Sequence, residues 1–235
     1  MKQENKIVPI AIPGMHEVFY DFFKPILRDY DQPKILEVGA GHGAFTHKLW
    51  NDGYDVSASD LFPENFHFDK VECKKVDISK ELPYKDNSYD IIIAIEVMEH
   101  IHDHQVFFKE CSQILKGKGL FIFSKPNILS LKSRTSFLFT GFYYAFKPLD
   151  HSNKDGLQHI ASLTADQYDN LAITNGLERY KLGFDKRQSS SKILFFLTPL
   201  IWLFSKIKSI PNQLHNTNDL LKARTMFYAY KKNLK

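Results

Sequence analysis

Three glycines stand at alternate positions in Glu37-Val38-Gly39-Ala40-Gly41-His42-Gly43, between the short strand-like run 34–38 and a helical pattern. A turn of this kind lets the backbone approach a ligand where a Cβ would clash, and it brings helix N-terminal N–H groups close to negative charge. The chemistry it suits is nucleotide binding. Asp60 follows at the separation of a ribose-binding acid, and its two oxygens can accept hydrogen bonds from a vicinal diol. Gly39-x-Gly41-x-x-Ala44 also satisfies the dinucleotide fingerprint, so the glycines alone leave the nucleotide open. Two further positions could take a proton from a hydroxyl: His100, which ends Glu96-Val97-Met98-Glu99-His100, and His159 in Gln158-His159-Ile160. His100, His102 and His104 lie two apart, a spacing that diverges on the helix this stretch begins, and no metal is assigned to them.

These residues need elements to hold them, and the hydrophobic pattern supplies an α/β series without repeats. Val18, Phe19, Phe22, Phe23, Ile26 and Leu27 recur at helical spacing after Pro13-Gly14, predicting a helix over about 13–30 with Pro25 as a point of kinking. Strands are predicted at 34–38, 56–59, 71–78, 89–95, 120–124, 177–184 and 226–230. Between them, Phe45 and Leu49 share a helix face capped by Gly53, and Phe107, Phe108, Cys111, Ile114 and Leu115 form a helix ended by Gly117. Thr164-Ala165-Asp166-Gln167 reads as a capping box that starts a helix ending at Asn175-Gly176. The expected fold is a Rossmann-like, doubly wound, seven-stranded sheet with helices on both faces, mostly parallel with an antiparallel last strand. It forms a single domain: a core over about 31–125, an insertion over about 127–160 and a second, hydrophobic and basic insertion over about 186–225. The aromatic stretch 129–149 is neither cleanly helical nor stranded.

In its motifs the sequence resembles the class I methyltransferases, especially the quinone-biosynthesis O-methyltransferase type (methyltransferase type 11/23) and its cell-surface polysaccharide-associated relatives. The resemblance is good over about 30–125 and looser over 157–185. It implies S-adenosyl-L-methionine as cofactor, bound by Glu37, Val38, Gly39, Ala40, Gly41 and Gly43, with Glu37 facing the methionine end. It further implies Asp60 on the ribose hydroxyls, Leu61 beside the adenine, and Asp77-Ile78 at the adenine. The segment from Leu82 to Asp90 leading into Glu96-Val97-Met98-Glu99-His100-Ile101 is similar to the family's fourth-strand signature, which adds Glu96 to the cofactor set. Some quinone methyltransferases carry a similar acidic-His box that binds a divalent ion. His100 and His159 are the candidate general bases. The acceptor would be a small molecule or lipid-linked, such as a quinone precursor, glycolipid or polysaccharide intermediate. An NAD-dependent oxidoreductase shares the glycine loop and Asp60 but leaves Glu37, Asp77-Ile78 and the box from Glu96 to His100 unexplained.

Charge divides unevenly along the 235 residues. Positions 186–235 hold ten Lys or Arg against the single acid Asp219, a balance of +9 that leaves −5 for the rest. A polyanionic partner follows, and an anionic membrane fits better than nucleic acid, because the aromatics cluster in apolar runs instead of interleaving with Lys and Arg. An RNA-modifying methyltransferase is thereby the weaker alternative. Of the twelve residues 193–204 only Thr198 is polar, enough for an interfacial helix and too few to span a bilayer. If the sixth strand is parallel to the first five and the seventh antiparallel, this run and the apolar stretch 137–146 both flank the substrate entrance. Two cysteines, Cys73 and Cys111, build no disulfide framework, and residues 1–5 lack a signal-peptide layout. A cytoplasmic protein is expected, peripheral to the inner face of a membrane.

Overall fold

The computed structural model describes residues 7–185 and 187–234, with nothing to be said of the side chain of Leu214. The polar first five residues and Lys186 therefore lie outside the described residues. Seven strands form one sheet: β1 Lys34–Val38, β2 Asp55–Asp60, β3 Cys73–Lys75, β4 Tyr89–Ala94, β5 Leu115–Pro126, β6 Leu177–Phe184 and β7 Thr225–Lys232. Their order is β3-β2-β1-β4-β5-β7-β6. β7 is antiparallel to both neighbours, and the other pairings are parallel. This is the expected doubly wound sheet.

Alternation along the strands sends side chains to two cores. Phe121 and Phe123 of β5 join one, with Phe107 and Phe108 of α3 (His104–Ile114) and Tyr168 of α5 (Ala165–Thr174). Leu120 and Ile122 join the other, with Phe19 and Phe23 of α1 (Met15–Leu27) and Phe45 of α2 (Ala44–Asn51). β4 is central and both its faces are covered, so Ile91, Ile92, Ile93 and Ala94 have no exposed surface. The capping box forms as expected, with the Thr164 N–H donating to Gln167 Oε1 at 2.8 Å.

Four details differ from the sequence reading. β3 is shorter than 71–78, because Asp77 captures the Ser79 N–H at 3.1 Å and turns the chain out of the ladder. α3 passes directly into β5 at Leu115, so Gly117 lies inside a strand and does not end the helix. The aromatic stretch contains a helix, α4 (Leu131–Thr140), capped by Ser130 and closed by Gly141 at φ 75. Finally, the apolar run belongs to a longer helical stretch, Ser189–Ile207, which by length and composition alone could cross a membrane. It comprises α6 (Ser189–Ile193), a 3-10 turn at Leu194–Leu197, and α7 (Thr198–Ile207). Short helices α8 (Asn212–His215) and α9 (Asn218–Lys222) lead to β7.

Candidate cofactor and acceptor site

β1 is buried from Ile35 to Val38, and the chain must then turn sharply to start α2. Gly39, Gly41 and Gly43 make that turn with φ of 72, 52 and 83, the left-handed region that side chains disfavour. A Cβ on Gly39 would run into Val97. The Gly41 N–H donates to Asp60 Oδ2 at 2.8 Å, and the Phe62 N–H donates to Asp60 Oδ1 at 2.8 Å. Asp60, at the end of β2, is thus fixed against the glycine loop, while each oxygen keeps lone-pair capacity for a diol.

The loop forms one wall of a cavity of about 640 Å³ at the carboxyl edge of the sheet, within the size range of small-molecule sites. Glu37, Gly39, Ala40, Gly41, Asp60, Leu61, Asp77, Ile78, Glu96, His100 and His159 all line it. Val38 and Gly43 do not. Val38 is buried in the core below, and Gly43 is the N-cap of α2, its Cα face closed off by the Phe66 ring. Asp77 does two things at once: it lines the cavity and holds its own turn through Ser79 Oγ at 2.6 Å and Lys80 Nζ at 3.0 Å, contacts that keep its carboxyl below the usual range.

Burial sets the electrostatics. Glu37 is fully enclosed and accepts from Thr46 Oγ1 at 2.5 Å, and desolvation pushes its carboxyl up to about 8. Glu96 follows β4 with φ 54, an uncommon value for a side-chain-bearing residue. Its N–H donates to Ser124 Oγ at 2.8 Å. Burial raises its carboxyl to about 7, opposed by the Arg224 charge.

At the far end of the cavity Glu99, His100 and His159 converge, with ligand-capable atoms within 4.8 Å of one another. Glu99 is buried and neither carboxylate oxygen has a hydrogen-bond partner among the described residues. Burial and nearby Glu96 raise its carboxyl well above the usual range. His159 Nε2 lies 3.9 Å from Glu99 Oε1. His100 Nδ1 sits 3.0 Å from the Gln158 carbonyl, which requires the proton on Nδ1 and leaves a lone pair on Nε2. Desolvation lowers both imidazole pKa values, and His100 lowers that of His159 further, so both rings are neutral bases at pH 7. The three histidines at 100, 102 and 104 do diverge: His104 turns inward to the Met98 carbonyl at 2.9 Å while His102 stays exposed. The cluster instead recruits a histidine 59 positions after His100, which spacing along the chain could not reveal.

Other wall residues carry no sequence signal for their place. Pro9, Ile10, Ala11 and Ile12 cross the cavity rim, held by the Val8 carbonyl to His42 Nδ1 at 2.8 Å. His16, at the start of α1, also lines the cavity, and burial pushes its pKa down to about 4. From the first insertion, Asp155, Gly156 and Leu157 form the outer wall, with Gly156 against Phe62. Behind the site, Lys125 of β5 is buried and donates to Ser162 Oγ at 2.9 Å and to the Leu163 carbonyl at 2.5 Å. Desolvation lowers its pKa to about 7.

Residues 36–123 match the methyltransferase domain family. Over that stretch the chain is similar to methyltransferase domains, and its sheet order is that of solved S-adenosylmethionine-dependent methyltransferases. The cofactor of this domain type is S-adenosyl-L-methionine, and the cavity suits it: the backbone cradle at Gly39 and Gly41, the open lone pairs of Asp60 and the enclosed Glu37 all stand on one wall. Among curated proteins the chain is similar to the ubiquinone biosynthesis O-methyltransferase of Pelagibacter ubique, 29% identical over 158 residues, 63% of this chain and 64% of that protein. The protein of that name from Psychrobacter arcticus is 25% identical over 159 residues, 62% and 59% of the two chains. The chain thus covers less than two thirds of these relatives' length. The solved S-adenosylmethionine-dependent methyltransferase from Archaeoglobus fulgidus shares the fold, with a TM-score of 0.61 at 14% identity, covering 92% of this chain and 94% of that one. A Methanosarcina mazei methyltransferase does likewise, with a TM-score of 0.57 at 16% identity over 90% and 98% of the two chains.

Proposed function

We propose that this protein transfers a methyl group from S-adenosylmethionine to an oxygen of a small-molecule or lipid-linked acceptor, such as a quinone precursor, a glycolipid or a polysaccharide intermediate. The observation that carries the reading is the convergence, in one cavity, of the nucleotide-binding wall with the His100–His159–Glu99 cluster. When bound, the cofactor supplies an electrophilic methyl group on a sulfonium. Asp60 holds the ribose end, Glu37 places negative charge at the methionine end, and Asp77 with Leu61 and Ile78 flanks the base. The residues at the rim, Ile10 and Leu157, exclude water from the reacting centre. His100 Nε2 accepts the acceptor's proton, with His159 beside it as the second candidate base. Methyl transfer is an in-line displacement, so the protein's main contribution is alignment.

The orphaned oxygens of Glu99 favour a second reading of the same cluster, in which His100 Nε2 binds a cation and does not act as the base. Glu99, His100 and His159 would hold a divalent cation, which would lower the pKa of a coordinated acceptor hydroxyl. The reading places the protein in the cytoplasm, in keeping with its two free cysteines. Calorimetry with S-adenosylhomocysteine and with NAD tests the cofactor assignment, and heat with NAD alone would restore the oxidoreductase alternative. Transfer of labelled methyl into the lipid extract of a lysate, lost in His100→Ala and dependent on magnesium after chelation, tests the acceptor class and the cluster; label recovered in RNA would replace the reading with an RNA-modifying one.

A further inference from the structure

α4 follows β5 and the Ser189–Ile207 helix follows β6, two strands that run parallel and end at the edge of the sheet that holds the cavity. The two segments pack against each other. Their burial is reversed with respect to a helix that faces water. In the Ser189–Ile207 stretch the enclosed positions are Ser191, Thr198 and Ser205, seven apart, while Ile193, Phe196, Leu200, Leu203 and Ile207 form an outward stripe at three- and four-residue spacing. Ile193 is 76% exposed and Phe196 72%; on α4, Leu138 is 75% and Phe139 82% exposed. A water-facing helix turns its apolar stripe inward, so the medium outside this one is apolar.

Charge identifies that medium. Neither 131–149 nor 187–218 contains an Asp or Glu, and together they carry Lys132, Arg134, Lys147, Arg187, Lys192, Lys206 and Lys208. Lys147, Lys192, Lys206 and Lys208 are exposed and form no ion pair among the described residues. A second copy of the same face would bring like charges together, whereas an anionic lipid surface complements them. The helix is also tied to the domain on its polar side: Ser191 Oγ accepts from the Lys132 N–H at 3.3 Å, Ser205 Oγ accepts from Asn216 Nδ2 at 2.7 Å, and Trp202 Nε1 donates to the Asn216 carbonyl at 3.1 Å. A helix held along one side by its own domain lies along a bilayer surface and does not cross it. A gap of about 550 Å³ between α4 and α7, lined by Leu138, Leu200 and Phe204 with Lys208 at its border, leaves space for lipid chain between them.

We propose that α4 and the Ser189–Ile207 helix together form a docking face for an anionic bilayer, seated at the boundary of headgroups and acyl chains, with the catalytic cavity opening beside it. The proposal does not depend on which atom is methylated.

Sedimentation with phosphatidylcholine vesicles, with and without phosphatidylglycerol, tests it. The intact chain is expected to bind phosphatidylglycerol vesicles roughly tenfold or more tightly than phosphatidylcholine alone, with the advantage shrinking in high salt. The double variant Phe196→Glu/Leu203→Glu loses vesicle binding while calorimetry with S-adenosylhomocysteine shows its cavity unchanged. Lys192→Glu/Lys206→Glu/Lys208→Glu loses the preference for phosphatidylglycerol. Equal binding by the first double variant overturns the proposal. So does concentration-dependent self-association, abolished by that variant, in a chain that ignores vesicles, and so does resistance of the bound protein to alkaline extraction, which marks a spanning helix.

Discussion

Phe123 of β5 and Phe196 of the second insertion are chemically the same side chain under opposite rules. Phe123 has no exposed surface and stacks on Tyr228 at 5.0 Å between centroids. Phe196 stands outward from a helix whose inner seam is Ser191, Thr198 and Ser205. The sheet region spends its apolar residues on its own cohesion, whereas the two-helix face keeps them for something outside the chain. Both regions meet at one edge of one sheet, so the division is between stability and encounter.

The comparison can be broken at several strengths. The largest effect is expected from Phe123→Ala, which should cost about 3–5 kcal/mol by leaving a cavity; Phe196→Ala should change stability by no more than about 0.5 kcal/mol. Urea denaturation of the two variants checks this, and equal losses would mean that the outer face is part of the fold. Next comes Asp60→Ala. It removes the acceptor of two backbone N–H groups and the expected partner of the ribose, so affinity for S-adenosylhomocysteine should fall by about 30-fold or more, with a stability loss of about 1–3 kcal/mol. Calorimetry reads both quantities, and unchanged affinity would remove Asp60 from the ribose.

Lys125→Met should have an effect with a definite pH dependence. The folded-state pKa of Lys125 is depressed to about 7 from an ordinary 10.5, so the unfolded chain binds the extra proton between those values. The native protein therefore gains stability relative to the variant as pH rises from about 7 towards 10. Thermal melts of both proteins across that window measure the difference, and parallel curves would contradict it.

Glu37 gives the most specific effect. Its folded-state carboxyl is raised from 4.5 to about 8, so ionising it weakens the fold as pH climbs between those values. The cationic methionine end favours the ionised form, so nucleotide affinity should increase as pH approaches 8, with proton release on binding below it. Glu37→Gln should flatten the pH dependence while melting higher at alkaline pH. Calorimetry in buffers of different ionisation enthalpy counts the proton, and no release at pH 7 would sink the assignment.

Much of the sheet side was legible from the residues. Strands of alternating or continuous apolar character, interrupted by glycine turns and capped helices, have a period that follows directly from their geometry. Gly39, Gly41 and Asp60 were readable because a tight approach to a ligand limits the residue types allowed. Val38 and Gly43 were not separable from them: a motif names neighbours in sequence, whereas lining a cavity depends on which way each Cα points. α4 has no sequence period to mark it, because Phe137, Leu138 and Phe139 form no inward stripe. His159 joins Glu99 and His100 only through the return of the first insertion over the sheet, and Pro9 to Ile12 reach the rim only because α1 packs where it does. Contacts closed across such distances leave no period in the sequence.

The two N–H groups that grip Asp60 carry a further consequence. Gly41 and Phe62 fix the carboxylate without any help from a ligand, so its rotational freedom is surrendered when the chain folds and not when the nucleotide arrives. The entering ribose meets a receptor already set in shape, and more of the enthalpy of its two hydroxyl contacts survives as affinity.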